Sequence, residues 1–201
     1  MRFTQYYLDC LSQASYLIGD EASGQAIVVD PRRDVSEYLA DAAAHGLTII
    51  GVVNTHFHAD FLAGHLELAA ATGAWIGYGS RAEADYPIRH LGDRERITLG
   101  DVTLEIWETP GHTPESISVL VYQHATDPVP YGVLTGDALF IGDVGRPDLL
   151  ASLGVTADEL GRMLYRSIGR LMTLPDAVRV FPAHGAGSAC GKNLSTERQS
   201  T

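Results

Sequence analysis

Cysteine is scarce in this chain: Cys10 and Cys190 are the two among 201 residues. They could form at most one bridge, so a disulfide-built scaffold is excluded and a reducing compartment is the expected setting. Long apolar runs are missing as well. No stretch approaches the ~18 consecutive apolar residues of a membrane span, and Met1-Arg2-Phe3-Thr4-Gln5 does not lead into the apolar core of a secretion signal. A cytoplasmic location without membrane contact is therefore the expectation. Positive charge is the third shortage: 14 Lys and Arg stand against 25 Asp and Glu, a net charge of −11. That balance opposes phosphate neutralisation, which argues against nucleic acid as a partner. Neither an internal repeat nor an interdomain linker is visible. One domain over residues 1–201 is expected, with a glycine-rich loop and polar tail at 185–201.

What the chain does have is apolar surface: 45% of its residues are hydrophobic, enough to build a core and to exclude disorder. Strand-like runs are expected at Phe3 to Leu8, Ala14 to Ile18, Ala26 to Val29, Thr48 to Val53 and Ala74 to Tyr78. Further runs follow at Arg96 to Leu99, Val102 to Glu108, Ile117 to Tyr122, Gly132 to Leu134 and Val178 to Phe181. Helical periodicity covers Asp34 to His45. It covers Leu62 to Thr72 too, with Leu62, Leu66 and Ala69 to Ala70 as the apolar face. A third stretch, from about Ala157 to Met172, opens with Thr156 and Glu159 at capping-box spacing.

Eight histidines are the unusual abundance, because imidazole is both a frequent metal ligand and an acid or base near neutral pH. His45, His65, His90 and His124 read as surface or satisfied core positions. The other four stand where predicted strands end. In Thr55-His56-Phe57-His58-Ala59-Asp60, extended backbone places His56 and His58 on one side, at chelate spacing. Thr109-Pro110-Gly111-His112-Thr113, Thr135-Gly136-Asp137 and Phe181-Pro182-Ala183-His184-Gly185 each follow another strand. Four separate strand-end segments carrying His or Asp beside Gly are hard to obtain by chance.

These motifs, with Ala138-Leu139-Phe140 after Asp137 and with Gly145-Arg146-Pro147-Asp148, resemble the metallo-β-lactamase superfamily. Within it they are similar to the persulfide dioxygenases of the ethylmalonic encephalopathy type. The resemblance covers nearly the whole chain. It implies an α/β fold, an αββα sandwich of two mixed sheets flanked by helices, with a metal site where strand-end loops meet. It also implies one Fe(II) per chain on His56, His112 and Asp137, with His58, Asp60 and His184 around it in catalytic or orienting roles. Two histidines and a carboxylate on one face of an iron suit O₂ chemistry. Asp60 is the best candidate to orient a ligand imidazole.

Thiolesterases of the glyoxalase II type resemble the chain too, and zinc is the alternative metal that they imply. Their first motif ends in Asp-His, whereas Phe61 stands here and has no lone pair for a second metal. They also carry a C-terminal helical domain that grips glutathione, for which too few residues follow His184. Substrate contacts are therefore expected from Arg146, whose planar fork suits a carboxylate, and from Tyr165, which reads equally as a core aromatic on its helix. Cys190, in the loop after His184, is expected to contact or carry a sulfane sulfur, or else to be a small buried hydrophobe. The expected activity is oxidation of glutathione persulfide, or a related small persulfide, by O₂ to sulfite and thiol. A rhodanese domain or protein is the expected partner, because such modules often follow this loop in relatives. A homodimer is the base-rate expectation.

Overall fold

The computed structural model describes residues 1–149 and 154–201. Three antiparallel strands open the chain: β1 (Arg2–Leu8), β2 (Gln13–Asp20) and β3 (Gln25–Val29). Helix α1 (Ser36–Ala44) leads to β4 (Thr48–Val53), and α2 (His65–Thr72) leads to β5 (Trp75–Gly79) and β6 (Arg89–Leu91). These strands form one sheet in the order β1-β2-β3-β4-β5-β6, parallel from β3 onward. The second sheet comprises β7 (Arg96–Leu99), β8 (Val102–Glu108), β9 (Ile117–Tyr122), β10 (Gly132–Gly136) and, after α3 (Ala157–Leu171), β11 (Arg179–Pro182). Its order is β11-β10-β9-β8-β7, with β10 and β11 parallel and the other pairs antiparallel. Both sheets are therefore mixed, as expected.

Alternation along the strands sorts side chains into layers. Ile27, Val29 and Val53 face inward and meet Leu104, Ile106, Val119 and Leu134 of the second sheet in the central core. Ala26, Val28 and Val52 face outward and are covered by Tyr38 and Ala42 of α1 and Leu68 of α2. On the opposite side, Leu120 and Val133 lie under Leu164 and Leu171 of α3. The result is a helix, sheet, sheet, helix sandwich. Its direction matters for the site. β3 and β4 run parallel, and β8 and β10 are each antiparallel to β9 and so run alike, with β11 alongside. Within each sheet the strands that carry candidate ligands end at the same edge.

Helix α3 starts as its sequence indicates: Thr156 Oγ1 accepts from the Glu159 backbone N–H, and Glu159 answers to the Thr156 N–H. One expectation needs correction, and two elements appear that no expectation covered. The second helix starts at His65 rather than Leu62, because Ala63 pairs with Arg32 and the Gly64 N–H donates to the Pro31 carbonyl at 2.7 Å. Its buried residue is Leu68, whereas Leu62 and Leu66 are exposed. Strand β6 carries no periodic apolar signal, since Arg89 and His90 are exposed and Leu91 alone is buried. The polar tail adds a pairing of its own: Ser200 exchanges backbone hydrogen bonds with Val180 at the edge of β11. Edge pairing uses main-chain groups, so no side-chain pattern announces it.

Candidate metal centre

The loops after β4, β8, β10 and β11 bring their polar side chains together at the strand ends. Asp137 lies at the centre with a fully buried side chain. Its Oδ2 is 3.9 Å from His56 Nε2 and 3.5 Å from His112 Nε2, while Oδ1 is 3.5 Å from His184 Nε2. Neither oxygen has a hydrogen-bond partner among the described residues. A buried carboxylate without donors is costly unless a positive charge compensates it. The donor atoms of His56, His112 and Asp137 all lie within 4.8 Å of one another.

Hydrogen bonds on the far side of each ring decide which nitrogen faces Asp137. His112 Nδ1 meets the Arg146 carbonyl at 3.1 Å and His184 Nδ1 meets the Ser12 carbonyl at 3.3 Å. Carbonyls only accept, so each Nδ1 carries the hydrogen and each Nε2 presents a lone pair. His56 reaches the same state through a relay. The Thr55 hydroxyl spends its hydrogen on Asp30 Oδ2 at 2.8 Å, and so accepts from His56 Nδ1 at 3.0 Å. Burial and the neighbouring His58, His112 and His184 hold His56 well below the usual histidine range, hence neutral. Neutral imidazoles with oriented lone pairs beside a bare carboxylate are the donor set for a cation.

His58 faces the other way. Burial opposes its charge, but the Asp30 carboxylate prevails and shifts the ring upward. Its Nε2 contacts Asp30 Oδ1 at 2.9 Å, and its Nδ1 has no partner among the described residues. Asp30 thus accepts from the Thr55 N–H, the Thr55 hydroxyl and His58. Sequence reasoning passed over this residue as the end of a strand. The available signal was its place, directly after β3, as the candidate ligands stand after their own strands. It also passed over Glu115, which accepts from the Phe57 N–H at 3.0 Å. Phe61 leans on His58 at 4.4 Å between ring centroids. It forms part of an aromatic wall with Phe57, Tyr78 and Tyr86 around a cavity of about 430 Å³.

Two glycines allow the close approach. A Cβ on Gly145 would fall 1.8 Å from the Asp137 carbonyl oxygen, and one on Gly111, at φ +144°, would meet the Leu164 backbone of α3 at 2.4 Å. No side chain fits at either position, so both loops can lie against the centre.

Of the other expected residues, Asp60 and Cys190 join the centre: their donor atoms and that of His184 lie within 4.8 Å of one another. Asp60 Oδ2 comes to 3.1 Å from His184 Nε2. Cys190 is buried, and burial with the nearby Asp137 charge pushes its thiol up, so it rests as a neutral thiol. Arg146 lends its carbonyl to His112, while its guanidinium forks onto Asp148 at 3.1 and 2.7 Å. Tyr165 stands apart. It is 82% exposed on α3, which excludes the reading as a core aromatic. His45 pairs with Asp41, His65 contacts Tyr86, and His90 and His124 are exposed, as their ordinary reading requires.

The loop that carries Cys190 is pinned by Asp143, whose Oδ2 accepts from the Lys192 and Asn193 backbone N–H groups at 2.7 and 2.8 Å. Those donors, with the Val144 N–H, hold the Asp143 carboxyl below its usual value. Because the folded value is the lower one, this tether is complete above the free carboxylate value of about 3.9 and is lost as pH falls through the folded value. Amide exchange at Lys192 and Asn193 is expected to stay protected from pH 7 down to about 4 and to lose protection below it. Asp143→Asn should remove that acid transition, and its persistence in the variant would exclude Asp143 as the tether.

The family model of the metallo-beta-lactamase superfamily matches residues 8–184. Persulfide dioxygenase ETHE1, mitochondrial, of Bos taurus is 32% identical over 189 residues, 92% of this chain and 68% of that protein. A hydroxyacylglutathione hydrolase of Ectopseudomonas mendocina is 34% identical over 172 residues, 84% of this chain and 60% of the relative. Among solved structures, a metallo-beta-lactamase from Staphylococcus aureus matches with a TM-score of 0.91 at 39% identity, over 100% of this chain and 60% of its own. ETHE1 from Myxococcus xanthus matches at 0.78 and 31% identity, over 96% and 79%. No helix among the described residues is long and apolar enough to cross a membrane.

Proposed function

The chain belongs to the metallo-beta-lactamase superfamily, and from that premise we propose that it oxidises a small persulfide, glutathione persulfide foremost, at an iron held by His56, His112 and Asp137. The observation that carries this reading is the buried, donor-free Asp137 carboxylate faced by neutral imidazoles. Similarity to persulfide dioxygenases at 31 to 32% identity supports it. The reaction balances as persulfide, O₂ and water giving thiol, sulfite and two protons, with four electrons passing from the outer sulfur to O₂. Iron, when bound, supplies the unpaired electrons that let triplet O₂ react with a closed-shell sulfur.

The chain's own groups do the rest. Carbonyls of Ser12 and Arg146 and the hydroxyl of Thr55 fix the rings of His184, His112 and His56. His58, tied to Asp30, holds a proton more readily than His56 and can return one from Nδ1. Asp60 borders the cluster, its Oδ2 3.1 Å from His184 Nε2, where it can place negative charge beside the bound ion. Cys190 offers a neutral S–H beside the reacting sulfur, a contact and not a nucleophile in its resting state. Arg146 and Tyr165 are assigned to the thiol carrier: the guanidinium can exchange Asp148 for a carboxylate, and Tyr165 stands on the helix that packs behind Gly111. The cytoplasm and a rhodanese-type sulfur donor complete the proposal.

A zinc-dependent thioester hydrolase is the second reading, supported by similarity to hydroxyacylglutathione hydrolases. One experiment separates the two. Protein purified without added metal is expected to contain iron and to consume O₂ with glutathione persulfide as sulfite forms, about one O₂ per sulfite. Tightly bound zinc, thioester cleavage and no O₂ uptake would sink the oxygenase reading.

A further inference from the structure

The aromatic-walled cavity of about 430 Å³ beside His58 has no part in the chemistry described so far. Its walls contain Tyr, His and Arg, yet their polar atoms are committed to one another. Asn54 Nδ2 donates to the Tyr78 hydroxyl at 2.7 Å, that hydroxyl meets the Tyr86 hydroxyl at 3.2 Å, and the latter meets His65 Nε2 at 2.9 Å. Burial lowers the His65 ring below the usual histidine range, so it is neutral. Arg33 Nε holds Glu67 Oε1 at 3.1 Å, and His58 is tied to Asp30. What remains for an occupant is ring and methyl surface: Phe57 stacks on Tyr78 at 4.5 Å and His65 on Tyr86 at 5.3 Å between centroids. Leu62 and Leu66 line the same cavity while standing 68% and 48% exposed, and Phe57 is 36% exposed. Adjoining exposed apolar side chains beside a cavity mark a binding surface rather than a fold requirement.

The cavity is continuous with the metal centre. Phe57, His58 and Phe61 line it from the same loop that carries His56 and Asp60, and the His58 ring stands 4.2 Å from the His56 ring between centroids. We infer that it seats the organic group of a second class of substrate, persulfides of small neutral apolar thiols of alkyl to benzyl size, with the outer sulfur at the centre. This rests on the oxygenase reading and adds a carrier to it. Glutathione, with two carboxylates and an ammonium, meets no uncompensated charge among the described residues of this wall, whereas Arg146 stands in a loop of the other sheet. The volume lies within the roughly 300–1,000 Å³ of ordinary small-molecule sites. The balance is the one given above: the apolar persulfide, O₂ and water yield the apolar thiol, sulfite and two protons. Burial of the carbon group, remote from the reacting sulfur, supplies the binding that holds that sulfur in place.

A homologous series tests the cavity apart from the chemistry. Under nitrogen, the protein as purified is titrated calorimetrically with ethanethiol, propanethiol, butanethiol and benzyl thiol. Any contact of the sulfur is common to all four and cancels in their ratios. Affinity is expected to rise about fourfold per added methylene, the worth of one buried CH₂. In air, kcat/KM for O₂ uptake with the matching persulfides should climb in the same order. Leu66→Glu puts a charge at the cavity wall from an exposed position in the first turn of α2, where an acidic residue suits the helix. It should flatten both slopes, and Leu62→Glu, outside the helix, repeats the test if the first variant misfolds. Equal affinity along the series, or a slope that survives both substitutions, would overturn the inference, even with glutathione persulfide turning over normally. A slope in binding with no O₂ uptake from any persulfide would overturn the oxygenase reading and the substrate class with it, leaving the cavity as a seat for apolar groups.

Discussion

Asp137→Asn is expected to abolish stoichiometric metal binding while making the metal-free protein more stable, opposite signs from one substitution. Without an ion, the Asp137 charge is fully buried and has no hydrogen-bond donor among the described residues. Removing an uncompensated buried charge by an isosteric amide relieves desolvation, and the new N–H₂ can donate to the lone pair of His112 or of His184, whose Nε2 atoms stand 3.5 Å from Oδ2 and Oδ1 respectively. A gain of about 1–3 kcal/mol follows. With an ion, the same change removes the one anionic donor of the His56, His112 and Asp137 cluster. Affinity should fall on the order of a thousandfold or more, beyond the roughly 10–100-fold typical of a residue that only orients a ligand. Chelator competition measures the second effect and urea unfolding of stripped protein the first. Retained metal would show that Asp137 is not a ligand. A destabilised metal-free variant would show that the buried carboxylate is compensated by something other than a cation.

The second large effect is expected at Asp30. Its carboxylate accepts from the Thr55 N–H at 2.7 Å, the Thr55 hydroxyl at 2.8 Å and His58 at 2.9 Å, all in the interior. Asp30→Ala strands those donors at about 1–3 kcal/mol each if none finds another partner. Its backbone stands at φ +50°, which Asp and Asn tolerate better than Ala. Allowing for some water entry, a loss of roughly 3–5 kcal/mol is expected, a large part of the 5–15 kcal/mol that ordinary domains possess. That corresponds to a melting point lower by roughly 10 °C for a chain of this size. Asp30→Asn keeps the backbone preference and one acceptor oxygen, so it should fall between the two. Metal affinity should decline about 10–100-fold in both, because Thr55 would no longer hold the His56 tautomer. An Asp30→Ala protein within 1 kcal/mol of the parent would refute the account.

The contrast between Asp137 and Asp30 explains which parts of the molecule were legible in the sequence. Candidate ligands, each an unusual side chain at a strand end, are visible one by one, and the structure brings His56, His112, Asp137 and His184 together. Long elements with strict alternation or a capping box, such as Val102–Glu108 and the helix from Ala157, are visible for the same local reason. Asp30 was not, since one Asp before a proline is an ordinary turn signal until the fold sets His58 beside it. The carbonyls of Ser12 and Arg146 carry no side-chain signature at all. Strand β6 was hidden by the exposure of Arg89 and His90, and the Ser200 pairing by its reliance on main chain. Tyr165 illustrates the opposite limit: a plausible core position on its helix proves to face solvent.

The two-sheet origin of the centre has a mechanical consequence. His56 follows β4 in one sheet, whereas His112, Asp137 and His184 follow strands of the other. An ion gripping donors from both acts as a rivet across the sandwich, and the motion it resists is separation of the two layers. Each tenfold excess of free ion over its dissociation constant then adds about 1.4 kcal/mol against that separation. The donors are far apart along the chain, so the rivet can close only after both layers have formed. Ion binding at this edge would therefore raise the free energy of parting the two layers, since the parted layers would no longer offer the full donor set.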